Sequence, residues 1–499
     1  MHLKVYTEMS QIIDYPVEET LDPENWDSMR TLGHKMMDDV IDYMSTIREK
    51  PVWEHLPDTA KKQINKSLPL EPEPAEKIYN DFLEHIMPYP SGNIHPRFWG
   101  WVIGTGTPMG ALSELLSAAM NSNSGGLDHH SANHVEKKVI EWLKEMMGFP
   151  DTGSGILTSG CSASNLIGLT TARNTMASYD IRREGINPEK SKMTLYASVE
   201  IHSSNQKAVE LLGLGSTALR LIPVNEAFQI DLKVLKEAIT KDREEGYFPF
   251  CIIGAAGTTN TGAIDDLDAL ADICKKDNLW FHVDGAFGAW AVITAQEKHL
   301  VKGIDRADSL AFDLHKWMYM PYEVGCILVR DEKDHRNAFS LTPAYLTHGS
   351  GGRGMTGGDL PWFSDYGFQL SRGFRALKVW MSLSEQGINK YSRIIQQNID
   401  QIRYLEELIK TSPELELTVP AILNITCFRY VGTEIDNTKL NELNKRIEIE
   451  LQEGGIAVLS VTTIKDQIVL RAANTNHRTK RADFDLLVRE VIKIGNKLA

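Results

Sequence analysis

A lysine and an aspartate each follow a short apolar run of the chain, where both residue types can do chemistry. Lys316 lies in SLAFDLHKW, where poor solvation lowers the pKa of an amine and suits it to imine formation with a carbonyl. Asp284 ends the run WFHVD, where a buried carboxylate needs a cationic or hydrogen-bonded partner to stay ionised. Each has an ordinary alternative, because lysines often extend along apolar surfaces toward water and aspartates often cap strand-to-turn junctions. The interpretation therefore depends on other segments.

Two further segments could hold a charged or aromatic ligand. The stretch GILTSGCSASN opens a predicted helix, and Gly160, Cys161 and Ser162 could offer backbone N–H groups and a hydroxyl to a phosphate at its N-terminus. His202, in ASVEIHSSN, follows another apolar run, and an imidazole can stack on an aromatic ring or hydrogen-bond a carboxylate. Small residues at a helix start are common and a lone histidine is usually structural, so neither segment decides the function by itself.

The elements that position these residues are the predicted strands of an α/β domain. From about residue 96, short apolar runs alternate with helix-length segments, which predicts a largely parallel sheet with both faces covered. The runs are MTLYAS (193–198), LRLIPV (219–224), FCIIGAAG (250–257), LWFHVDG (279–285), SLAFDL (309–314) and CILVRD (326–331).

Helical and mixed segments flank this domain. Over residues 24–47 the apolar side chains Met29, Leu32, Met36, Val40, Tyr43 and Ile47 recur every three or four residues, which predicts a helix with one apolar stripe. A proline-rich connector and a helix around 76–86 follow. After residue 386, helices over 388–410, 438–453 and from 481 alternate with strand-like runs, as in a small α+β lobe. We predict a helical arm (1–95), a large domain (96–385) and a small domain (386–499).

The composition excludes several classes of protein. The formal net charge of −14 opposes binding to a nucleic-acid backbone, which needs clustered Lys and Arg. No apolar stretch predicts a signal peptide or a membrane span. The five cysteines show neither the pairing of a metal site nor the density of a disulfide framework, so we expect no metal and a cytoplasmic location.

The ordered motifs SGCSASN, EIHSS, AAGTTNTGAID, HVDGAFG and FDLHKW together resemble a known family. They are similar to those of the group II amino-acid decarboxylases that depend on pyridoxal 5′-phosphate (PLP), which include aromatic-L-amino-acid, histidine and glutamate decarboxylases. The resemblance covers residues 25–495 and is closest to the aromatic branch, through the N-terminal helix, HPRFWGW and PAYLTHG. It implies an aspartate-aminotransferase-like fold (fold type I) for the large domain.

The resemblance also implies a role for each matching residue. It makes Lys316 the lysine bound covalently to PLP, Asp284 the partner of the pyridine nitrogen, and His202 the residue stacked on the ring. The other matching positions are Cys161 and Ser162 in the phosphate loop, Thr259 near the ring and the substrate carboxylate, Ala286 under the ring, and His315 beside the lysine. Asp313 occupies a position where the aromatic branch often has an asparagine that contacts phosphate, and its charge would repel phosphate.

Tyr345 is the residue most diagnostic of the reaction. In the resembling decarboxylases a tyrosine at this position protonates Cα after CO2 leaves, whereas related aldehyde synthases carry Phe. The glycine-rich run after Tyr345 suits a mobile loop, although a tyrosine there could also be a structural anchor. We therefore expect decarboxylation to an amine, with an aldehyde synthase as the alternative. A catalytically silent scaffold is opposed by the joint presence of Lys316, Asp284 and His202.

The sequence gives opposing indications of the substrate, and its resemblance to the family indicates the assembly. Trp101, Val102 and Ile103 match the family's pocket wall and suit an aromatic side chain. Against that, Ser122 and Ser124 lie in a polar stretch, which favours a polar or hydroxylated substrate. Arg471 could reach the carboxylate of a glutamate-like substrate or be a buried structural arginine. The resemblance also implies an obligate homodimer with shared active sites, interlocked through the N-terminal helices.

Overall fold

Three helices form the N-terminal arm of the computed structural model, which describes residues 19–126, 130–341, 362–432 and 437–499. They are α1 (Trp26–Ser45), α2 (Asp58–Ile64) and α3 (Ala75–His85). The Asn25 side chain starts α1 by accepting hydrogen bonds from two backbone N–H groups of the first turn. The predicted stripe is only partly covered, because Leu32 and Ile47 are buried while Met29 and Met36 stay 40% and 38% exposed.

A seven-stranded sheet forms the centre of the large lobe within these described ranges, in the order β1-β7-β6-β5-β4-β2-β3. Neighbouring strands are parallel except at β7, which runs antiparallel to both β1 and β6. Each of the six predicted apolar runs overlaps a strand. The sequence reasoning missed β1, a short and fully buried strand at the edge of the sheet. The strands are β1 (Ser154–Thr158), β2 (Met193–Ser198), β3 (Leu219–Ile222), β4 (Phe248–Ala255), β5 (Trp280–Asp284), β6 (Ser309–Asp313) and β7 (Gly325–Val329).

Helices pack on both faces of this sheet, as its apolar strands require. The core on one face includes side chains of α5, α9 and α10, and that on the other face includes side chains of α6 and α8. The helices of the lobe are α4 (Pro108–Met120), α5 (Ser131–Met147), α6 (Cys161–Met176), α7 (Ile181–Glu184), α8 (Ser203–Leu211), α9 (Leu232–Glu244), α10 (Leu267–Asp277), α11 (Glu332–Phe339) and α12 (Ala376–Gln386). The arrangement is the α/β fold predicted for this part of the chain.

The C-terminal lobe is an antiparallel sheet of four strands, in the order β10-β11-β9-β8, packed with helices in the described part of the chain. Trp99, from the segment before α4, stacks on Phe484 of the last helix with ring centroids 4.5 Å apart. The boundaries of the three proposed domains stay a prediction. The elements are α13 (Ile388–Lys410), β8 (Leu415–Val419), β9 (Ile425–Tyr430), α14 (Asn437–Glu453), β10 (Ser460–Ile464), β11 (Gln467–Ala473) and α15 (Arg481–Leu498). No helix in the described ranges combines the length and apolar character that crossing a membrane needs.

Candidate active site

The carboxyl ends of two neighbouring parallel strands bring the predicted residues together. Strand β5 ends at Asp284, and β6 ends at Asp313, three residues before Lys316. Helix α6 begins at Cys161 on the same side of the sheet, so its N-terminus faces the same cavity, an arrangement typical of α/β ligand sites. The cavity has a volume of about 310 Å³ and is lined by Ser159, Gly160, Cys161, Ser162, Ala163, His202, Ser204, Asp284, Ala286, Asp313, His315, Lys316, Tyr322 and Glu323.

Two asparagine amides hold the buried carboxylate of Asp284. Asn165 and Asn205 donate to its Oδ2 atom from 2.9 and 2.6 Å. The Oδ1 atom accepts the backbone N–H of Ala286 at 3.2 Å and lies 3.5 Å from the Sγ atom of Cys161. These contacts hold the carboxylate in one orientation at the end of β5. Sequence reasoning missed both asparagines, although they stand within or directly after two of the motifs that carried the resemblance.

The Lys316 amine is paired with a carboxylate, which changes its expected chemistry. Its Nζ atom lies 3.2 Å from Oδ2 of Asp313, and about 21% of the side chain is exposed. Burial is the largest single influence and lowers the pKa of Lys316, but Asp313, Cys161 and Asp284 together raise it by more, so the net shift of the pKa is upward. The expectation of a lowered pKa was therefore wrong for this chain without cofactor, because it counted the apolar strand and left out the carboxylate three residues earlier.

His315 and Tyr322 close one side of the cavity. The Nδ1 atom of His315 accepts the backbone N–H of Val324 at 3.1 Å, and its ring packs on Tyr322 with centroids 4.5 Å apart. Burial lowers the pKa of His315, which favours the neutral ring. Gly160 lies against this ring, since a Cβ atom there would come within 3.2 Å of the His315 Cε1 atom. Tyr322 is a lining residue that the motifs did not indicate.

A second cavity, of about 170 Å³, lies on the other side of the same residues. It shares His202, Asp284, Ala286 and Lys316 with the first cavity, and its lining adds Trp101, Val102, Glu200, Ile201, Ala255, Gly257, Thr258, Thr259 and Phe287. The Nδ1 atom of His202 accepts the backbone N–H of Ser204 at 3.2 Å, so the neutral ring carries its hydrogen on Nε2. Thr259 and Trp101 are exposed, and Trp101 has a left-handed backbone with φ of +48°.

Four predicted pocket residues lie away from the lining of these two cavities in the single chain. Ile103 packs beside the Val52, Phe98 and Val458 cluster. Ser124 is buried, and its backbone exchanges hydrogen bonds with Arg372, while Ser122 lies just before it on the same loop. Their role toward a substrate stays a prediction. Tyr345 and the glycines at 349, 351, 352, 354, 357 and 358 lie outside the described residues.

Arg471, the fourth of these residues, is buried and supports the second cavity from behind. Its guanidinium donates to the backbone carbonyl of Asn260 at 3.1 Å and to that of Trp101 at 3.0 Å. Burial lowers its pKa to about 10. These contacts join the segment that bears Thr259 to the segment that bears Val102. They agree with the second of the two predicted roles, in which Arg471 is a buried structural arginine.

Comparison with known proteins decides the family. Residues 57–431 match the model of the pyridoxal-dependent decarboxylase conserved domain. The chain belongs to this family. It is 33% identical to an aromatic-L-amino-acid decarboxylase of Bacillus atrophaeus over 95% of this chain and 96% of the relative. A phenylacetaldehyde synthase of Petunia hybrida is 28% identical over 91% of this chain and 90% of its own length. Among solved structures, the tryptophan decarboxylase of Catharanthus roseus, in complex with L-tryptophan, is 26% identical with a TM-score of 0.85, covering 96% of this chain and all of the other.

This decarboxylase is therefore a PLP-dependent enzyme of fold type I, and its cavity residues fit the cofactor. The first turn of α6 offers backbone N–H groups to a phosphate, Lys316 offers an amine to an aldehyde, and Asp284 offers a buried anion to a pyridinium. The Oδ1 atom of Asp313, which has no hydrogen-bond partner among the described residues, adds a negative charge that does not suit a phosphate. The described residues contain no cluster of side chains suited to a metal ion.

Proposed function

We propose that this decarboxylase converts an aromatic L-amino acid to its amine and CO2. The observation that carries the proposal is the second cavity, where Trp101, Val102 and Phe287 provide apolar and aromatic walls next to Lys316. Glu200 lines the same cavity, and its carboxylate accepts a hydrogen bond from Asn260 at 2.9 Å. A negative wall disfavours the acidic side chain of glutamate. The relatives named above include aromatic decarboxylases, which supports the same substrate class.

Each residue around the cofactor has a separate task in this proposal. Bound PLP supplies an electron sink for the electron pair that remains when the α-carboxylate leaves as CO2. Lys316 binds the cofactor covalently through Nζ, and Asp284 keeps the proton on the pyridine nitrogen. His202, with its hydrogen on Nε2, packs on the ring, and together with Thr259 it orients the substrate carboxylate. Gly160, Cys161 and Ser162 bind the phosphate, Ala286 leaves room under the ring, and His315 supports the loop that bears the lysine.

Tyr345 would determine the product. We propose that its hydroxyl returns a proton to Cα after CO2 leaves, which yields the amine. Replacing it with Phe should leave CO2 release intact and divert the product to aldehyde, with O2 reduced to hydrogen peroxide, the aldehyde oxygen supplied by water and the amino nitrogen released as ammonia. An unchanged yield of amine from the Tyr345→Phe enzyme would remove this residue from the mechanism.

The substrate is tested by a panel of L-amino acids with the PLP-loaded enzyme. Tryptophan, tyrosine, phenylalanine, DOPA, histidine and glutamate are each incubated, and amine, CO2, aldehyde and peroxide are measured from one sample. The proposal predicts the highest kcat/KM for an aromatic substrate, with amine and CO2 in equal amounts. Preference for glutamate would contradict the substrate class, and aldehyde with peroxide would assign the chain to the aldehyde synthases.

We also propose a homodimer with shared active sites in the cytoplasm. Met29 and Met36 leave part of the apolar stripe of α1 exposed to solvent, and the arm of a second copy of the chain would bury it. The five cysteines are free and buried, which is consistent with a reducing compartment. Mixed dimers of Lys316→Ala and Tyr345→Phe chains test the shared site, because one site in each would keep both residues. Restored amine formation is expected. Mixed dimers as inactive as their parents would contradict sharing.

A further inference from the structure

A chain of buried hydrogen bonds runs from the middle of the sheet to Asp284. Trp280 Nε1 donates to Ser309 Oγ at 2.8 Å, and Ser309 Oγ lies 2.8 Å from Nδ1 of His282. On the other side of the ring, His282 Nε2 lies 2.9 Å from Oδ1 of Asn165. Asn165 Nδ2 in turn donates to Asp284 Oδ2 at 2.9 Å. The chain therefore crosses strands β5 and β6 and helix α6 before it reaches the carboxylate.

The carboxylate at one end and the neutral imidazole in the middle fix the direction of the hydrogen bonds in this chain. An indole N–H can only donate and a carboxylate can only accept. A neutral His282 ring has one N–H group, and its Nε2 atom must donate because Asn165 Oδ1 can only accept. Nδ1 therefore accepts the hydroxyl hydrogen of Ser309, whose oxygen accepts from Trp280. The imidazole then carries its hydrogen on Nε2 and donates it to Oδ1 of Asn165, which leaves the Asn165 amide nitrogen to donate to Asp284. All of the donors point toward the carboxylate.

The imidazole in the middle is neutral and held in place. His282 is fully buried, and burial lowers its pKa to about 4, so it adds no positive charge near the carboxylate at neutral pH. The ring fits tightly against α6, because a Cβ atom on Gly168 would come within 2.7 Å of its Cε1 atom. Without the His282 N–H group, the Oδ1 atom of Asn165 would keep only the long contact with the Cys161 Sγ atom at 3.9 Å, so the amide would be held less firmly against Asp284.

We propose that His282 is a positioning residue for the cofactor. By fixing the Asn165 amide, it holds the Asp284 carboxylate in one orientation, in which the carboxylate would keep the pyridine nitrogen of PLP protonated. This inference rests on the proposed pairing of Asp284 with that nitrogen. It gives a role to a residue that does not line either cavity.

The test uses PLP labelled with ¹⁵N at the pyridine nitrogen, bound to the full-length enzyme. The ¹⁵N chemical shift separates protonated from neutral pyridine, and the PLP dissociation constant is measured on the same samples. His282→Leu should move the signal toward the neutral ring and weaken PLP binding about tenfold, as for one lost hydrogen bond to a charged group. His282→Gln, whose amide can still donate near the Nε2 position, should restore much of both. If Gln behaves like Leu, the proposal fails.

His335→Leu provides the matched control. His335 is also fully buried, its Nδ1 atom lies 2.8 Å from Ser154 Oγ, and burial lowers its pKa to about 3, but it sits on α11 near the edge strand β1. Its replacement should cost stability without moving the ¹⁵N signal. An equal movement in both variants would mean general loosening and would overturn the proposal.

Two further outcomes keep the inference separate from the proposed function. If His282→Leu does not fold, Ser309→Ala removes the preceding donor and should move the signal less, in the same direction. An unmoved signal in that variant would contradict the inference. If the wild-type enzyme already holds a neutral pyridine, the pairing with Asp284 is wrong and the inference falls with it. A protonated wild-type ring with an unchanged His282→Leu ring overturns the inference alone.

Discussion

The two cavities around Lys316 differ in how firmly the chain holds them. On the cofactor side, Asp284 has four contacts, and its asparagine partners are fully buried. On the substrate side, Trp101 is 57% exposed, and its segment is anchored through backbone carbonyls. A preorganised polar network can support one chemistry for many substrates, whereas an open apolar wall can change with the substrate. On the proposed assignment, the cofactor and the substrate side chain would therefore be bound by two parts of the site that are anchored separately.

Loss of the lysine should give the largest effect. Lys316→Ala removes the amine that we propose binds PLP covalently and does not disturb a packed core, so turnover should be abolished while the fold persists. Amine formation measures turnover, and circular dichroism measures whether the fold persists. Lys333→Ala, which changes an exposed lysine on α11, is the control and should keep full activity. Full activity in Lys316→Ala would contradict the assignment of the cofactor side.

The next largest effect is expected at Asp284. Asp284→Asn removes the charge that we propose holds the pyridine proton, so kcat should fall about 10²–10³-fold, by analogy with the loss of one preorganised electrostatic partner. Asp265→Asn is the matched control, because this buried carboxylate also sits near a strand end, where it accepts backbone N–H groups from Ile230 and Ala255. It should affect stability more than kcat. Equal losses of kcat in both variants would deny Asp284 a special role.

A smaller, pH-dependent effect is expected at Asp313. Because the pKa of Lys316 is raised, the amine stays protonated to higher pH, and the rate of covalent PLP capture by the cofactor-free enzyme should rise as pH increases. Asp313→Asn removes the ion pair, so this rise should move to lower pH and PLP should bind more tightly. Absorbance after mixing measures the rate at each pH. A profile that stays in place, or moves to higher pH, would contradict the pairing of Lys316 with Asp313.

The smallest effect concerns the substrate side. Arg471→Lys cannot donate to the carbonyls of Trp101 and Asn260 in the same bidentate way, so KM for an aromatic substrate should rise several-fold with little change in PLP affinity. Steady-state kinetics with aromatic and acidic amino acids check this. A loss confined to glutamate would instead favour a direct contact between Arg471 and a substrate carboxylate.

The sequence predicted the cofactor side better than the substrate side, for physical reasons. Lys316 and Asp284 follow apolar strands, a local pattern that is visible in the printed chain. The contacts of Asn165 and Asn205 with Asp284 form only because α6 and α8 pack against β5. This packing cannot be predicted from a local sequence pattern. Strand β1 was missed because its residues run directly into the small-residue loop.

The substrate side was harder to predict because its walls come from distant segments. Trp101, Glu200 and Thr259 meet only in the folded lobe, and Arg471 reaches them from the other lobe. The positions of Ser122 and Ser124 also depend on the contact of their loop with Arg372. The spacing of residues along the chain does not predict these contacts between distant segments.

The most direct test of the account is to locate the covalent bond to PLP. The PLP-loaded enzyme is reduced with borohydride, digested and mapped by mass spectrometry, with and without an aromatic amino acid present during the reduction. We predict a phosphopyridoxyl group on Lys316 without substrate, and less of it on this lysine when substrate is present. A phosphopyridoxyl group on another lysine, or on none, would contradict the assignment of Lys316 and the arrangement of the site built around it.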